Sequence, residues 1–362
     1  MARAHNFYPG PAVLPVAALE RAQRELLDWE GTGTSVMETS HRSKEYDAVH
    51  NETIAIIKEM LGLGERFHVL LLQGGASLQF AMVPMNLLSA GQTADYIHTG
   101  TWSKKAIAEA KLFGTVNVAF DGETVELKRV PRQDELKLTP GARYVHMTSN
   151  NTIKGTQFHA FPDTGGVPIV CDMSSDFLWR AFDPSPFGII YAGAQKNIGP
   201  AGVTVVIIRD DILKQCKTEG VPTLLKYQTH ADKNSLFNTP PSFNIYMVRN
   251  VLRTMMDAGG LAEIEARNRK KAGMVYDTID ANPDFFRAPV PKESRSLMNI
   301  VFRLPAEDLE ARFVAEGKLG NLLGLKGHRS VGGIRISAYN SCPLESVEAI
   351  VEFMKAFAKA NG

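Results

Sequence analysis

Between about residues 15 and 260, short apolar runs alternate with stretches whose apolar residues recur at helical spacing, and few folds satisfy that alternation. The runs His68 to Leu72, Ala94 to His98, Tyr144 to Met147, Val167 to Cys171, Gly188 to Tyr191 and Val203 to Ile208 are rich in Val, Ile or Leu. Short, largely apolar runs of this length are the pattern of strands buried on both faces. Among the intervening segments, Leu19, Ala22, Leu26 and Trp29 define one covering helix, and Tyr46, Val49, Thr53, Ile56 and Met60 line a second. The expected fold is therefore α/β, with six buried strands in a largely parallel sheet between helices.

A helix through Ile245, Val248, Leu252 and Met255 should stop at Gly259-Gly260, and a long helix through Ile264, Ala272, Val275 and Ile279 should follow. After it come an expected strand at Leu297 to Phe302, a helix at Ala306 to Glu316, a strand at Gly333 to Ala338 and a terminal helix from Pro343. The expected division is an N-terminal segment, 1–15, packing near the small domain or the active site, a large domain, 16–258, and a smaller C-terminal α/β domain, 259–362. The full 362 residues suit roughly two domains of about 150 residues each.

Forty Lys and Arg against 39 Asp and Glu leave no electrostatic footprint of a nucleic-acid or anionic-membrane partner. Cys171, Cys216 and Cys342 lie far apart without CxxC or Cys/His ligand spacing, so no structural metal is expected and a reducing compartment is. The opening MARAHNFYPGPAVLP reaches a Pro-Gly-Pro turn before any apolar run, and no run approaches the roughly 18 residues of a membrane helix. The expected location is the cytoplasm.

Ligands of an open α/β sheet bind beyond the carboxyl ends of its strands. The run ending at Cys171 is followed by Asp172, Met173, Ser174 and Ser175, and the run ending at Tyr191 by Ala192-Gly193-Ala194-Gln195-Lys196. A carboxylate and an amine thus leave two strands at one edge. An ion pair at a domain surface would account for both residues. A lysine among small residues, if desolvated, also has a lowered pKa and suits a Schiff base to a carbonyl. Pyridoxal 5'-phosphate requires such a lysine, a carboxylate for its ring nitrogen and N–H donors for its phosphate. QGGASLQF at 73–80 could supply those donors where a strand turns into a helix, and it lacks the GxxxxGK[ST] and GxGxxG patterns of nucleotide loops.

Together with NFYPGPAVLP, GTGTSVMETSHRSKE, TGTWSKKA, SNNTIKGTQF, CDMSSDF, YAGAQKNIGPAG, FNTPPSF and KGHRSVGGIRIS, these strings resemble the phosphoserine aminotransferases, class-V pyridoxal-phosphate enzymes of fold type I. The resemblance covers the whole chain and implies a mainly parallel seven-stranded sheet in the large domain. It implies Lys196 as the Schiff-base lysine and proton shuttle, one cofactor per subunit, and Asp172 as partner of the ring nitrogen. Trp102 would stack on the ring, although a tryptophan there could equally be core. Thr152 would lie beside the ring. The phosphate would be held by the Ala76 and Ser77 amides, Ser174 and Gln195, with Asn238 and Thr239 contributed by the second subunit of a homodimer. Ser77 stands where some relatives have an arginine, so backbone donors and a hydroxyl must suffice. Asn151 stands where many relatives have an acidic residue, and it is given no role.

His41, Arg42, His328, Arg329 and Arg335 are the basic residues that decide the substrate. Guanidinium groups pair bidentately with carboxylates and phosphates. The resemblance implies Arg335 for the substrate α-carboxylate, with His41, Arg42, His328 and Arg329 holding a phosphate or the distal carboxylate of L-glutamate. The implied reaction converts 3-phosphohydroxypyruvate and L-glutamate to O-phospho-L-serine and 2-oxoglutarate, with 3-hydroxy-2-oxo-4-phosphonooxybutanoate as a second phosphorylated 2-oxo acid. Two other readings stay open on the residues alone: the same fold acting on an unphosphorylated amino acid, and a cofactor-binding protein without turnover.

Overall fold

The computed structural model describes residues 3–362, and each of the six apolar runs forms a strand in it. The chain enters through β1 (His5–Asn6), α1 (Val16–Glu25) and α2 (Lys44–Met60). It continues through β2 (Phe67–Leu72), α3 (Gly75–Leu87), β3 (Thr93–His98), α4 (Thr101–Ala110), β4 (Thr115–Asp121), β5 (Val145–Thr148), β6 (Ile169–Asp172), β7 (Phe187–Gly193) and β8 (Thr204–Arg209). Then follow α5 (Asp210–Leu213), α6 (Tyr227–Asp232), α7 (Ser242–Asp257), α8 (Gly260–Asp280), β9 (Asn299–Phe302), α9 (Glu307–Leu319), β10 (Leu322–Leu323), β11 (Ile334–Ser337) and α10 (Leu344–Asn361).

Seven strands form the large sheet, as the resemblance implies and one more than the apolar runs mark, in the order β2-β8-β7-β6-β5-β3-β4. The seventh is β4. It lies at the sheet edge, and its first four residues are exposed or half-buried, so it carries no continuous apolar run. Every pairing is parallel except those of β8 with β2 and with β7. Two antiparallel steps restore direction, so β2 runs with β7 and sends its carboxyl end to the same edge.

Alternate residues of each strand enter different cores, as the two-residue period of a strand requires. Val69, Leu71, Val145, Met147, Val205 and Ile207 pack with α2 and α7, whereas Leu70, Leu72, Tyr144, Val206 and Ile208 pack with α3 and α4. A separate core joins Ala272, Val275 and Ile279 of α8 to β9, α9, β11 and α10. The β9–β11 pair is antiparallel. Leu261 and Ile264, in the first turns of α8, belong to the large-sheet core instead, so one helix is shared by both bodies.

The N-terminal segment touches both. Phe7 and Val13 join the smaller core, and β1 pairs in parallel with β10. Ala12 N–H then donates to the Gln195 carbonyl at 2.9 Å, beside the lysine loop. Cys171, Cys216 and Cys342 are buried free thiols. No helix among the described residues is long and apolar enough to cross a membrane.

Candidate active site

Parallel pairing sets Asp172 opposite Tyr191, so the end of β6 and the end of β7 meet at one sheet edge. Lys196 follows three residues beyond β7. A cavity of about 250 Å³ at this edge is lined by Asp172, Ser174, Gly193, Gln195, Lys196, Trp102 and the loop Gly74 to Ser77. The two residues that the sequence places at one edge therefore share one cavity.

The lysine amine donates to the Thr152 hydroxyl at 2.8 Å and lies 5.6 Å from the centre of the Trp102 ring. Burial lowers its pKa from 10.5 to about 8, opposed by Asp172 and reinforced by Arg335. Near neutral pH an appreciable fraction is thus the free base that attacks carbonyls. Gly10 lies against its stem: a Cβ there would sit 3.3 Å from Lys196 Cγ.

Asp172 is 4% exposed, and one carboxylate oxygen accepts from the Ser174 N–H at 2.9 Å. Burial raises its pKa, with the Ser174 hydrogen bonds and Lys196 pulling the other way. A cationic ring nitrogen brought against it would relieve that desolvation cost.

The helix α3 opens at Gly74, whose φ of +87° is left-handed. A Cβ at Gly74 would fall 2.5 Å from Leu78 Cδ2, so glycine is demanded by shape as well as by backbone angle. The first turn, which includes Ala76 and Ser77, leaves N–H groups without helical acceptors and carries the positive end of the helix dipole. Gly193 completes the cradle. A Cβ there would lie 3.9 Å from the Ala76 nitrogen and 4.0 Å from Ser174 Oγ, so the absent side chain keeps those donors reachable. The Ser174 hydroxyl also accepts from Gly193 N–H at 3.1 Å.

Trp102 is half-buried at the start of α4, with its indole Nε1 buried and without a partner among the described residues. It packs against the core of α3 and α4 and also lines the cavity. Thr152 links two regions, since its hydroxyl holds Lys196 and its carbonyl accepts from Arg335 Nη1 at 3.2 Å. Arg335, on β11, is 6% exposed, and its Nε is buried without a partner among the described residues. His328 and Arg335 line a neighbouring cavity of about 360 Å³. Burial, then the charges of Arg335 and Arg329, lower the His328 pKa. Arg329 is exposed beside it.

The structure does not bring every expected residue to this cavity within one chain. His41 is half-buried and Arg42 exposed just before α2, and neither lines the lysine cavity. Asn238 and Thr239 lie by Gln73, whose amide donates to the Thr239 carbonyl at 3.3 Å. They too are outside the lysine cavity.

Asn151, given no role from the sequence, has a structural task. Its Nδ2 donates to the Thr99 carbonyl at 2.5 Å, and its Oδ1 accepts from the N–H groups of Ile153 and Lys154. It clamps the Thr152 loop onto the entry to α4, where Trp102 sits. A Cβ at Gly100 would lie 1.9 Å from that amide nitrogen, so the pair fits only because residue 100 is glycine. Ser149, Gln157 and Asp176, joined by hydrogen bonds beside Asp172, lie within the SNNTIKGTQF and CDMSSDF strings but have no role legible in the sequence. The β5–β6 pairing and the Asn150–Gln157 bridge bring them together.

Lysine, buried carboxylate, aromatic face and amide cradle in one cavity form the donor set that pyridoxal phosphate needs, and the partnerless indole and the opening at Gly193 fit a bound group there. The class-V aminotransferase family model matches residues 4–350. The phosphoserine aminotransferase of Desulfosudis oleivorans is 56% identical, covering 99% of each chain, and that of Niallia circulans is 52% identical over the same shares. Among solved structures, the phosphoserine aminotransferase of Bacillus circulans subsp. alkalophilus superposes with a TM-score of 0.97 at 52% identity, covering 99% of each chain. The PLP-bound phosphoserine aminotransferase of Trichomonas vaginalis superposes with a TM-score of 0.93 at 41% identity, covering 98% of this chain and all of the other. This chain therefore belongs to the class-V aminotransferases, enzymes that work with pyridoxal phosphate.

Proposed function

We propose that the enzyme moves the amino group of L-glutamate to 3-phosphohydroxypyruvate, giving O-phospho-L-serine and 2-oxoglutarate, reversibly. The observation that carries this is the basic group beside the lysine cavity: buried Arg335, joined through Thr152 to Lys196, with His328 and Arg329 next to it. A substrate with two anionic ends uses more than one cation, and a phosphorylated 2-oxo acid and glutamate share that description. The names of the relatives above point to the same substrate. The second phosphorylated 2-oxo acid, 3-hydroxy-2-oxo-4-phosphonooxybutanoate, has the same two anionic ends and belongs to the proposal as an alternative substrate.

Bound pyridoxal phosphate supplies an electron-withdrawing ring that stabilises charge developing at the substrate's α-carbon. Lys196 would hold it covalently, and the α3 N-terminus, Ser174 and Gln195 would hold its phosphate. Asp172 would keep a proton on the ring nitrogen, and Trp102 would offer its aromatic ring to the cofactor's. Arg335 binds the α-carboxylate and so orients the substrate's Cα–H bond. Released from its covalent role, Lys196 Nζ takes the α-proton, and its lowered pKa suits it to accept and return that proton near neutral pH.

Asn238 and Thr239 belong to the phosphate site of a partner subunit in this reading, so the enzyme is a homodimer with shared sites. His41 and Arg42, outside the lysine cavity of their own chain, join the substrate's second anion site, and dimerisation could bring them from the opposite subunit. The test is 2-oxoglutarate release from glutamate, with 3-phosphohydroxypyruvate or hydroxypyruvate as acceptor. A strong preference for the phosphorylated acceptor is expected. Equal use of both would assign the enzyme to unphosphorylated substrates.

A further inference from the structure

Four residues beyond Asp172 lies a second buried carboxyl group, Asp176, also 4% exposed. The mechanism above does not use it. The Ser149 hydroxyl bonds to its Oδ1, and Gln157 Nε2 donates to its Oδ2 at 3.1 Å. The Gln157 amide cannot be turned around, because its Oε1 accepts from the Leu297 N–H at 2.9 Å. Asp176 has no ion-pair partner among the described residues, and Arg180, the nearest cationic influence from its own loop, donates its Nη2 to the His159 carbonyl.

The hydrogen-bond pattern bears on its state. Ser149 Oγ also lies 3.1 Å from the main-chain carbonyl of Asp172, which accepts from the Ser149 N–H at 3.0 Å as well, so with Asp176 ionised the one hydroxyl proton serves either the carboxylate or that carbonyl. A buried carboxylate with a single amide donor and a shared hydroxyl is costly. With a proton on Asp176 Oδ1, the sequence closes: Asp176 donates to Ser149, Ser149 donates to the Asp172 carbonyl, and Gln157 donates to Oδ2. We propose that Asp176 is a positioning residue held as the neutral carboxylic acid, which through Ser149 fixes the Asp172 end of β6 and leaves Asp172 as the negative charge beneath the lysine.

Burial pushes the Asp176 carboxyl up to about 7, against the pull of Ser149 and Gln157, with Asp172 adding to the rise. The charged or titratable groups around it are Asp172, Arg180, Cys171, Lys196 and Tyr339. The proposal deepens the reading of Asp172 as the ring-nitrogen partner and rests on it.

Infrared difference spectra of the parent protein against D176N, recorded with and without bound pyridoxal phosphate, read the proton directly. A protonated-carboxyl stretch at pH 6, absent from D176N and fading above neutrality, is expected in the cofactor-free protein. Its absence there would overturn the proposal. A second arm compares variants by cofactor titration. D176N reproduces the donor and acceptor of the neutral acid and should bind pyridoxal phosphate about tenfold more tightly than D176A, which leaves Ser149 unanchored. Equal affinities in the two variants would also overturn it. Failure of the parent protein to bind pyridoxal phosphate would instead overturn the reading of the pocket, which the cofactor-free infrared arm does not depend on.

Discussion

Arg335 of the smaller body donates a 3.2 Å hydrogen bond to the carbonyl of Thr152, the residue whose hydroxyl holds the Lys196 amine. The arginine proposed for the substrate carboxylate and the lysine proposed to hold the cofactor are thereby fastened to one residue. R335K keeps the charge but loses the planar fork, so KM for glutamate should rise about 10- to 100-fold, while cofactor absorbance is retained. Steady-state kinetics with a cofactor spectrum read both, and an unchanged KM would remove Arg335 from the α-carboxylate.

The lysine pKa of about 8 fixes a pH dependence. The rate at which cofactor-free enzyme captures pyridoxal phosphate should rise with pH as the free base appears and level off above about pH 8. The stability consequence has the same sign. Between about 8 and 10.5 the unfolded chain binds more protons at this lysine than the folded one, so its contribution to stability increases with pH across that window. Stopped-flow absorbance from pH 6 upward checks this, and a rate that kept climbing to about pH 10.5 without levelling would show an ordinary amine.

Asn151 secures the Thr152 loop to the entrance of the Trp102 helix. N151A should cost about 1–3 kcal/mol of stability, because it strands the Thr99 carbonyl, and should weaken cofactor binding through a looser Trp102. Thermal unfolding and cofactor titration together test this. A loss of stability with unchanged affinity would confine the clamp to folding.

Lys271 is buried with no anionic partner among the described residues, and its ammonium donates to the carbonyls of Ala338, Tyr339 and Cys342 at 3.1, 2.6 and 3.2 Å. The turn it holds includes Asn340, whose N–H donates to Asn197 next to the lysine. K271M should lower stability by about 3 kcal/mol, since three acceptors lose their donor in a dry site. Urea denaturation measures it, and a change within about 0.5 kcal/mol would show that the turn holds itself.

The proposed homodimer with shared sites makes a different kind of forecast. Mixed K196A and N238A chains should recover activity that neither homodimer has in full, because a hybrid dimer contains one site with both residues intact. No recovery on mixing would place Asn238 outside the partner's site.

The sheet is legible in the sequence because its interior strands are buried on both faces and so read as short, largely apolar runs. β4 is not, since only its last turn towards Phe120 is buried. Lys196 and Asp172 are legible for a related reason: both sit immediately past such runs, where a parallel sheet gathers its ligands. Asp176, Ser149 and Gln157 fall inside SNNTIKGTQF and CDMSSDF without a legible role, because the β5–β6 register and the Asn150–Gln157 bridge that join them are not readable along the chain. Asn151 is invisible for another cause, because its partner is the carbonyl of Thr99, a backbone group. The antiparallel β9–β11 pair and the two-residue β1–β10 pair are likewise set by packing between distant segments.

The central claim is that one cavity holds pyridoxal phosphate on Lys196 and selects a substrate with a second anion. Titrating the cofactor-loaded enzyme with O-phospho-L-serine and, separately, L-serine while recording visible absorbance tests it most directly. The band of lysine-bound cofactor should give way to the pyridoxamine form at concentrations of phosphoserine about a hundredfold or more below those of serine, and K196A should lack the starting band. Equal responses to the two amino acids, or the same starting band in K196A, would contradict the account.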